Sequence, residues 1–116
     1  MDASLPKTER LSGKTALARL LDGGRWGATA HLKYCWLAGE GSCNRILVTV
    51  PKKFFKRAVR RNLLKRRLRE SYRLQKGLLA GSGVDFMISY NTDEVLDSSV
   101  IYGEVGEILT IISSKL

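Results

Sequence analysis

A run of basic side chains between Lys52 and Lys76 is the part of this sequence best suited to binding chemistry. The run holds twelve lysines and arginines and a single acid, Glu70, and therefore carries a net charge of +11. A helix turns about 100° per residue, so one stripe of a helix through this run collects donors one turn apart. Each arginine of such a stripe can grip a phosphate with two parallel hydrogen bonds. The stripe consists of Asn62, Lys65, Arg66, Arg69, Arg73 and Lys76.

The rest of the chain is almost neutral. Outside the basic run, 91 residues hold eight basic and ten acidic side chains, whereas all 116 residues together have a net charge of +9. Charges of one sign that lie close together repel one another, and a polyanionic partner relieves that repulsion. Acids that could pair with the basic side chains along the helix are almost absent. The pattern predicts a nucleic-acid-binding helix, in which Asn62 can reach a ribose 2′-hydroxyl or a base edge.

The same helix needs an apolar side that anchors it. We predict a helix over residues 56–76, because a second stripe of less polar residues lies beside the basic one. That second stripe is expected to face a sheet, and it consists of Leu64, Leu68, Ser71, Tyr72 and Gln75.

The segment before the basic run predicts one helix and two or three strands. Residues 1–11 read as an extended lead-in, and Ser12 is expected to cap a helix that carries Leu17, Leu20 and Leu21. Gly23-Gly24 is expected to end that helix in the left-handed conformation. Strands are predicted over His31–Leu37 and Arg45–Val50, which we expect to pair as a hairpin, with a short extra strand near Trp26–Thr29.

The segment after the basic run predicts one strand and one helix. A turn over residues 80–83 leads into a strand over Val84–Tyr90, and Asp97 or Ser98 is expected to cap the last helix. The apolar face of that helix consists of Ile101, Val105, Ile108 and Ile112. The predicted order α-β-β-α-β-α indicates an α+β fold, a single two-layer domain over residues 1–116 with a small mixed sheet packed against helices.

The sequence offers little material for catalysis by the protein alone. His31 is the single histidine, so a catalytic triad or a histidine metal site is not expected, and we assign no catalytic or metal-binding residue. The acids near the last helix, Asp93, Glu94 and Asp97, are better explained as turn and cap residues. Cys35 and Cys43 lack the paired spacing of a zinc site, and we interpret both as free thiols.

The basic helix and its surroundings resemble the bacterial ribonuclease P protein component. That family carries the signature A-V-x-R-N-x-x-K-R-x-x-R-E, and residues 58–70 read A-V-R-R-N-L-L-K-R-R-L-R-E, which matches at every fixed position. The family's strand that ends in a lysine pair is similar to residues 47–53. The N-terminal residues Leu5-Pro6-Lys7 and Arg10-Leu11, the strand Val84–Ile88 and the terminal amphipathic helix also fit.

The resemblance implies a fold and a function. The signature helix would enter through a left-handed crossover, and the protein would join a catalytic RNA that removes the 5′ leader of precursor transfer RNA. The RNA would perform catalysis, with Mg²⁺ held mainly by the RNA and none bound by the protein alone. The residues expected to contact the catalytic RNA are Arg61, Asn62, Lys65, Arg66 and Arg69, joined by Arg73 on the same stripe, with Lys52 and Lys53 lining the approach.

Two positions depart from the family pattern. Many members have arginine where this chain has Leu63, so one phosphate contact is expected to be missing. The resemblance also implies a cleft between the sheet and the first helix that holds the leader, and many members carry phenylalanine on that helix beside the cleft. Residues 16–21 of this chain hold no aromatic side chain. Stacking on the leader would then fall to Tyr34 or Trp36, with Lys33 beside them, and core packing is an equally good explanation of either aromatic residue.

Two other classes of function explain the charge. A ribosomal or ribosome-assembly protein would be equally basic, but that reading leaves the long signature unexplained. A DNA-binding protein could place the basic helix in a major groove, although helix-turn-helix proteins are mostly helical and a basic zipper needs heptads after Lys76. The chain has no apolar run of the roughly 20 residues that a membrane span requires. We expect a cytoplasmic protein whose partners are the catalytic RNA and precursor transfer RNA, without DNA or membrane.

Overall fold

The computed structural model of the chain describes residues 7–39, 41, 43–79 and 83–116. These residues form three α-helices and four strands. They are α1 (Lys14–Gly23), β1 (Arg25–Ala28), β2 (Leu32–Ala38), β3 (Arg45–Thr49), α2 (Ala58–Gln75), β4 (Val84–Tyr90) and α3 (Ser98–Ser114). Single turns of 3-10 helix occupy Lys7–Glu9 and Lys76–Leu78. The predicted α+β class, the element order and the short extra strand β1 are confirmed.

The four strands form one mixed sheet in the order β1-β2-β4-β3. β1 and β4 each pair antiparallel with β2, while β3 pairs parallel with β4. The predicted hairpin between β2 and β3 is therefore wrong, because β4 lies between them. Six of the seven β4 residues are buried, and a strand covered on both faces belongs in the middle of a sheet. The parallel β3–α2–β4 connection places α2 across the sheet, and the left-handed sense of this crossover stays a prediction of the resemblance.

One face of the sheet packs against α2 and α3 and contains the main core. Tyr72 of α2 meets Phe86 of β4 edge to face, with ring centroids 5.4 Å apart. The predicted apolar face of α3 is confirmed, since Ile101, Val105, Ile108 and Ile112 are all fully buried. Asp97 occupies the N-cap position of α3, but its carboxylate makes no capping hydrogen bond.

The other face of the sheet is partly covered by α1. Leu20 of α1 packs with Leu11, Cys35 and Met87 in a second, smaller core cluster. Gly24 ends α1 with φ −79°, so the predicted left-handed ending is wrong. Gly24 is needed for close packing instead, because a Cβ there would collide with the carbonyl oxygen of Leu20 and the sulfur of Cys35.

The start of α1 also differs from the prediction. Gly13, with φ 94°, is the N-cap residue and no side chain caps the helix, so the assignment of Ser12 as the cap is wrong. Glycine adopts such a positive φ without the strain that a Cβ would bring.

The lead-in segment is attached to the edge of the sheet. Arg10 forms a parallel bridge with Ile46, and the Leu11 N–H donates to the carbonyl oxygen of Ile46 at 2.9 Å. Residues 1–6 and most of the predicted turn over 80–83 lie outside the described residues. Within the part of the chain that the structure describes, no helix is both long enough and apolar enough to cross a bilayer.

Candidate nucleic-acid interface

The inner face of α2 matches the sequence prediction residue by residue. Its buried residues are Leu64, Leu68, Ser71, Tyr72 and Gln75. The side chain of Gln75 donates to the carbonyl oxygens of Ser71, at 3.1 Å, and Tyr102, at 2.8 Å, which satisfies its amide inside the core and ties α2 to α3. Because these residues fix the rotation of α2, the predicted basic stripe points away from the sheet.

The N-terminal part of that stripe is a set of unpaired polar and cationic side chains. We call Asn62, Lys65, Arg66 and Arg69 the basic face; Lys65 is half-buried and the other three are exposed. None of the four forms an ion pair or a side-chain hydrogen bond with another described residue. Donors held one turn apart without internal partners are available to an anionic ligand.

The C-terminal end of the predicted stripe is partly neutralised within the protein. Arg73 forms an ion pair with Glu70 one turn earlier on α2, and this hydrogen bond raises the pKa of the arginine. Lys76 Nζ lies 2.9 Å from a carboxylate oxygen of Glu9. Both cations are therefore less available to a ligand than the basic face is.

The segment before α2 is organised by Arg61. Its guanidinium donates to the carbonyl oxygens of Phe55 and Lys56, each at 2.8 Å, so this arginine holds the loop as well as adding charge. Lys52 and Lys53 lie exposed in the turn before that loop. The Lys53 ammonium lies 5.0 Å from the centroid of the Phe54 ring. The structure thus places both lysines in the approach to α2.

Arg10 adds a cation that the sequence analysis did not assign to the interface. A small cavity of about 150 Å³ between α2 and the edge of β3 is lined by Arg10, Ser12 and Arg69, together with Ile46–Val48. The bridge to Ile46 brings Arg10 there from a distant part of the sequence. Only the pairing of the lead-in with β3 reveals this position, and no local pattern in the sequence predicts that pairing.

The aromatic residues proposed for leader stacking lie in the core. Tyr34 and Trp36 are only 6% and 5% exposed and belong to the core cluster under α2 and α3. Their rings offer almost no surface for a base, so core packing is the correct explanation for both residues and the assignment to leader stacking is wrong. Both side chains point to the helix-covered face, because successive side chains of β2 alternate between the two faces of the sheet. The guanidinium of Arg25 lies 5.4 Å from the centroid of the Trp36 ring.

Trp26 is an exposed aromatic residue of the sheet, and the sequence analysis gave it no role. It is 56% exposed and lies opposite Cys35, while Ala28 lies opposite Lys33. Directly opposed residues share a sheet face, so the indole and the exposed Lys33 lie on the face that α1 covers only in part. The short strand predicted near Trp26–Thr29 was the sequence feature that could have revealed this position. Alternation along that strand could have placed the Trp26 side chain on the sheet face away from the main core.

His31 has a structural partner rather than a free surface position. Its ring Nδ1 and the carboxylate of Glu104 form an ion pair, and its backbone N–H donates to the same carboxylate at 2.8 Å. The hydrogen bond to Glu104 raises the pKa of His31. Burial alone would raise the pKa of Glu104, but hydrogen bonds from Thr29 and His31 lower it below its usual value. This pair fastens the β1–β2 connection to α3.

Two further predictions concern reactive and metal-binding groups. Cys35 and Cys43 are both free thiols, as predicted. Burial raises the pKa of the Cys35 thiol, whose Sγ donates to the carbonyl oxygen of Leu20. Among the residues that the structure describes, no three histidine, cysteine, aspartate or glutamate side chains gather into a possible metal site.

Comparison with known proteins identifies close relatives in sequence and fold. The family model described as Ribonuclease P matches residues 5–112. The ribonuclease P protein component of Desulforapulum autotrophicum is 33% identical over 100 residues, covering 81% of this chain and 85% of that protein. The Geobacter sp. (strain M21) protein of the same name is 34% identical over 103 residues, covering 89% and 87%. The fold is similar to that of the Staphylococcus aureus RNase P protein, with a TM-score of 0.79, 21% identity and coverage of 90% of this chain and 95% of that one.

Proposed function

This chain belongs to the ribonuclease P protein family, and we propose that it is the protein subunit of a ribonuclease P that removes the 5′ leader from precursor transfer RNA. The observation that carries the proposal is the basic face, whose donors project from a helix that is anchored by its opposite side. We place the protein in the cytoplasm, where it assembles with a catalytic RNA and takes precursor transfer RNA as substrate.

The basic face would bind the catalytic RNA. Arginine and lysine side chains one turn apart suit successive phosphates of an RNA backbone, and they reduce the repulsion where two polyanions meet. Asn62 would read a ribose hydroxyl or a base edge beside them. Arg10, Lys52 and Lys53 widen the cationic surface toward the edge of the sheet and the turn before α2.

The chemical step would belong to the RNA. Mg²⁺ held mainly by the catalytic RNA would supply an activated water molecule for hydrolysis. The cationic surface of α2 repels a divalent cation, so the protein would contribute by positioning the substrate and screening phosphates. His31 is committed to Glu104, and we give it no part in the reaction.

The leader would lie on the sheet face that carries Trp26 and Lys33. An exposed indole can stack on any base, and an adjacent ammonium can offset a phosphate. Trp26 thereby takes the role that sequence analysis gave to Tyr34 or Trp36, and it compensates for the lack of an aromatic residue on α1.

We expect the double substitution Lys65→Ala and Arg69→Ala to weaken binding to a bacterial ribonuclease P RNA. Two lost phosphate contacts should also reduce the slope of log K against log salt concentration by about 2. Filter binding across a salt series measures both quantities.

A matched control is Lys14→Ala with Lys115→Ala, which removes the same charge from exposed positions outside α2. An unchanged affinity and salt slope in the Lys65 and Arg69 variant would exclude this face from the RNA interface. Preferential binding to ribosomal subunits or duplex DNA would favour the alternative functions.

We expect Trp26→Ala to lower the affinity of the holoenzyme for precursor transfer RNA with a long leader by roughly tenfold, the value of about one lost base stack. Trp26→Phe should retain most of the affinity because a ring remains. A substrate with a one-nucleotide leader should bind both variants like the wild type, and Val95→Ala, at another exposed apolar position, should change neither substrate. Equal losses on the long and the short leader would contradict a leader contact at Trp26.

A further inference from the structure

A groove lies between α2 and α3, next to the basic face. It has a volume of about 370 Å³ and is lined by eight residues. Its apolar part is formed by Leu63, Leu74 and Tyr102, and its polar part by Arg66, Arg67, Glu70, Ser71 and Ser98.

The apolar part of the groove is open to solvent. Leu74 is 57% and Tyr102 is 44% exposed, which is unusual for two large side chains that share one depression. The groove is also held firmly in shape. Gln75 binds the carbonyl oxygen of Tyr102 beneath it, and Gly106 lets the two helices approach there because a Cβ would collide with the Gln75 amide. The exposed ring and leucines therefore form a fixed surface rather than a loosely packed part of the core.

The charge around the groove is cationic. Arg67 donates to the carbonyl oxygen of Leu96 at 2.7 Å, which keeps its guanidinium at the wall of the groove. Glu70 is neutralised by Arg73. Arg66 is exposed, makes no ion pair with any described residue, and belongs to both the groove and the basic face. A partner in this groove should therefore combine a flat apolar group with a negative charge.

We propose that the groove receives one unpaired nucleotide of the RNA that lies on the basic face, with its base against Tyr102 and Leu74 and its phosphate on Arg66. This inference rests on the proposed function and names a base-stacking contact within it. Stacking on an aromatic ring is available to every base, and Glu70 can accept a hydrogen bond from an exocyclic amino group of the kind that cytosine presents. Continuity through Arg66 favours RNA over an unrelated protein, because any RNA held by the basic face already lies beside the groove.

Tyr102→Ala should reduce affinity for a bacterial ribonuclease P RNA by roughly tenfold, which corresponds to about one stacked base. The salt slope should stay unchanged, because no phosphate contact is lost. Chemical probing of the bound RNA should show an unpaired base that the wild-type protein protects and Tyr102→Ala leaves reactive. Tyr102→Phe should restore both affinity and protection. Val100→Ala, at an exposed position of α3 that does not line the groove, should behave like the wild type.

Three outcomes would overturn the inference, and they can be told apart. If the wild type binds the RNA and Tyr102→Ala binds it with the same affinity and the same probing pattern, the groove proposal fails while the proposed function stands. If the wild type does not bind the RNA, both fail together. If the wild type dimerises without RNA and Tyr102→Ala is monomeric in sedimentation, the groove serves contact between copies of this chain. Thermal melting of each variant excludes unfolding as the cause.

Discussion

Truncation of Leu68 to alanine is expected to lower the free energy of unfolding by roughly 2–5 kcal/mol, as truncation of buried leucines does. Leu68 is 0% exposed and belongs to the core cluster between α2 and the sheet. Removing its side chain leaves a cavity in the core region that contains Leu64, Tyr72 and Phe86. This cavity cannot close unless α2 moves. Urea denaturation followed by circular dichroism measures the change.

Leu74→Ala provides a matched control for this prediction, because it makes the same chemical change at an exposed position of the same helix. Its free energy of unfolding should change by no more than about 0.5 kcal/mol. If Leu68→Ala melts like the wild type while RNA binding is lost, the inner and outer faces of α2 have been assigned the wrong way round.

The faces of α2 could be predicted because all of the information lies within one helix. Apolar and basic residues alternate with the helical period over residues 58–75, so Leu64, Leu68 and Tyr72 fix the inner side and Arg66 and Arg69 follow on the outer side. The strong charge of the segment made the prediction more certain, since buried lysine or arginine without a partner is costly. The apolar face of α3 was predictable for the same reason.

The pairing between distant segments could not be predicted from local sequence patterns. β2 and β3 are consecutive strands, and a hairpin is the simplest connection between them, yet β4 occupies the place between them. The strand that takes the central position is the one best suited to burial on both faces. Identifying it requires a comparison of strands from the whole chain. Arg10 joined the edge of the interface through the same kind of distant pairing, with Ile46.

The position of aromatic residues in the sheet was predicted only in part. Alternation along β2 sets Tyr34 and Trp36 on one side of the strand, but it does not show that α2 and α3 cover that side. Trp26 lies on the other face because β1 pairs with β2 in a register that sets it opposite Cys35. A change of one residue in that register would have placed the indole on the face that α2 and α3 cover.

In the proposed role, the protein assists an RNA catalyst by positioning substrate and screening charge. A cleavage titration tests this role with the RNA alone, the protein alone and both together, across a range of magnesium concentrations. The effect of the protein on cleavage is expected to be large at low magnesium, because few cations then screen the phosphates. The protein should then greatly raise kcat/KM for precursor transfer RNA. At high magnesium and high monovalent salt the RNA should need the protein much less, since free cations screen the same charges.

The protein alone should cleave nothing in this titration. His31→Ala should leave cleavage by the reconstituted enzyme unchanged in both ranges of magnesium, provided that the assay runs below the melting temperature of a variant that has lost its contact with Glu104. We expect a gain in kcat/KM from the protein that shrinks as magnesium rises. Cleavage of precursor transfer RNA by RNA-free protein, abolished by His31→Ala, would contradict the proposed role.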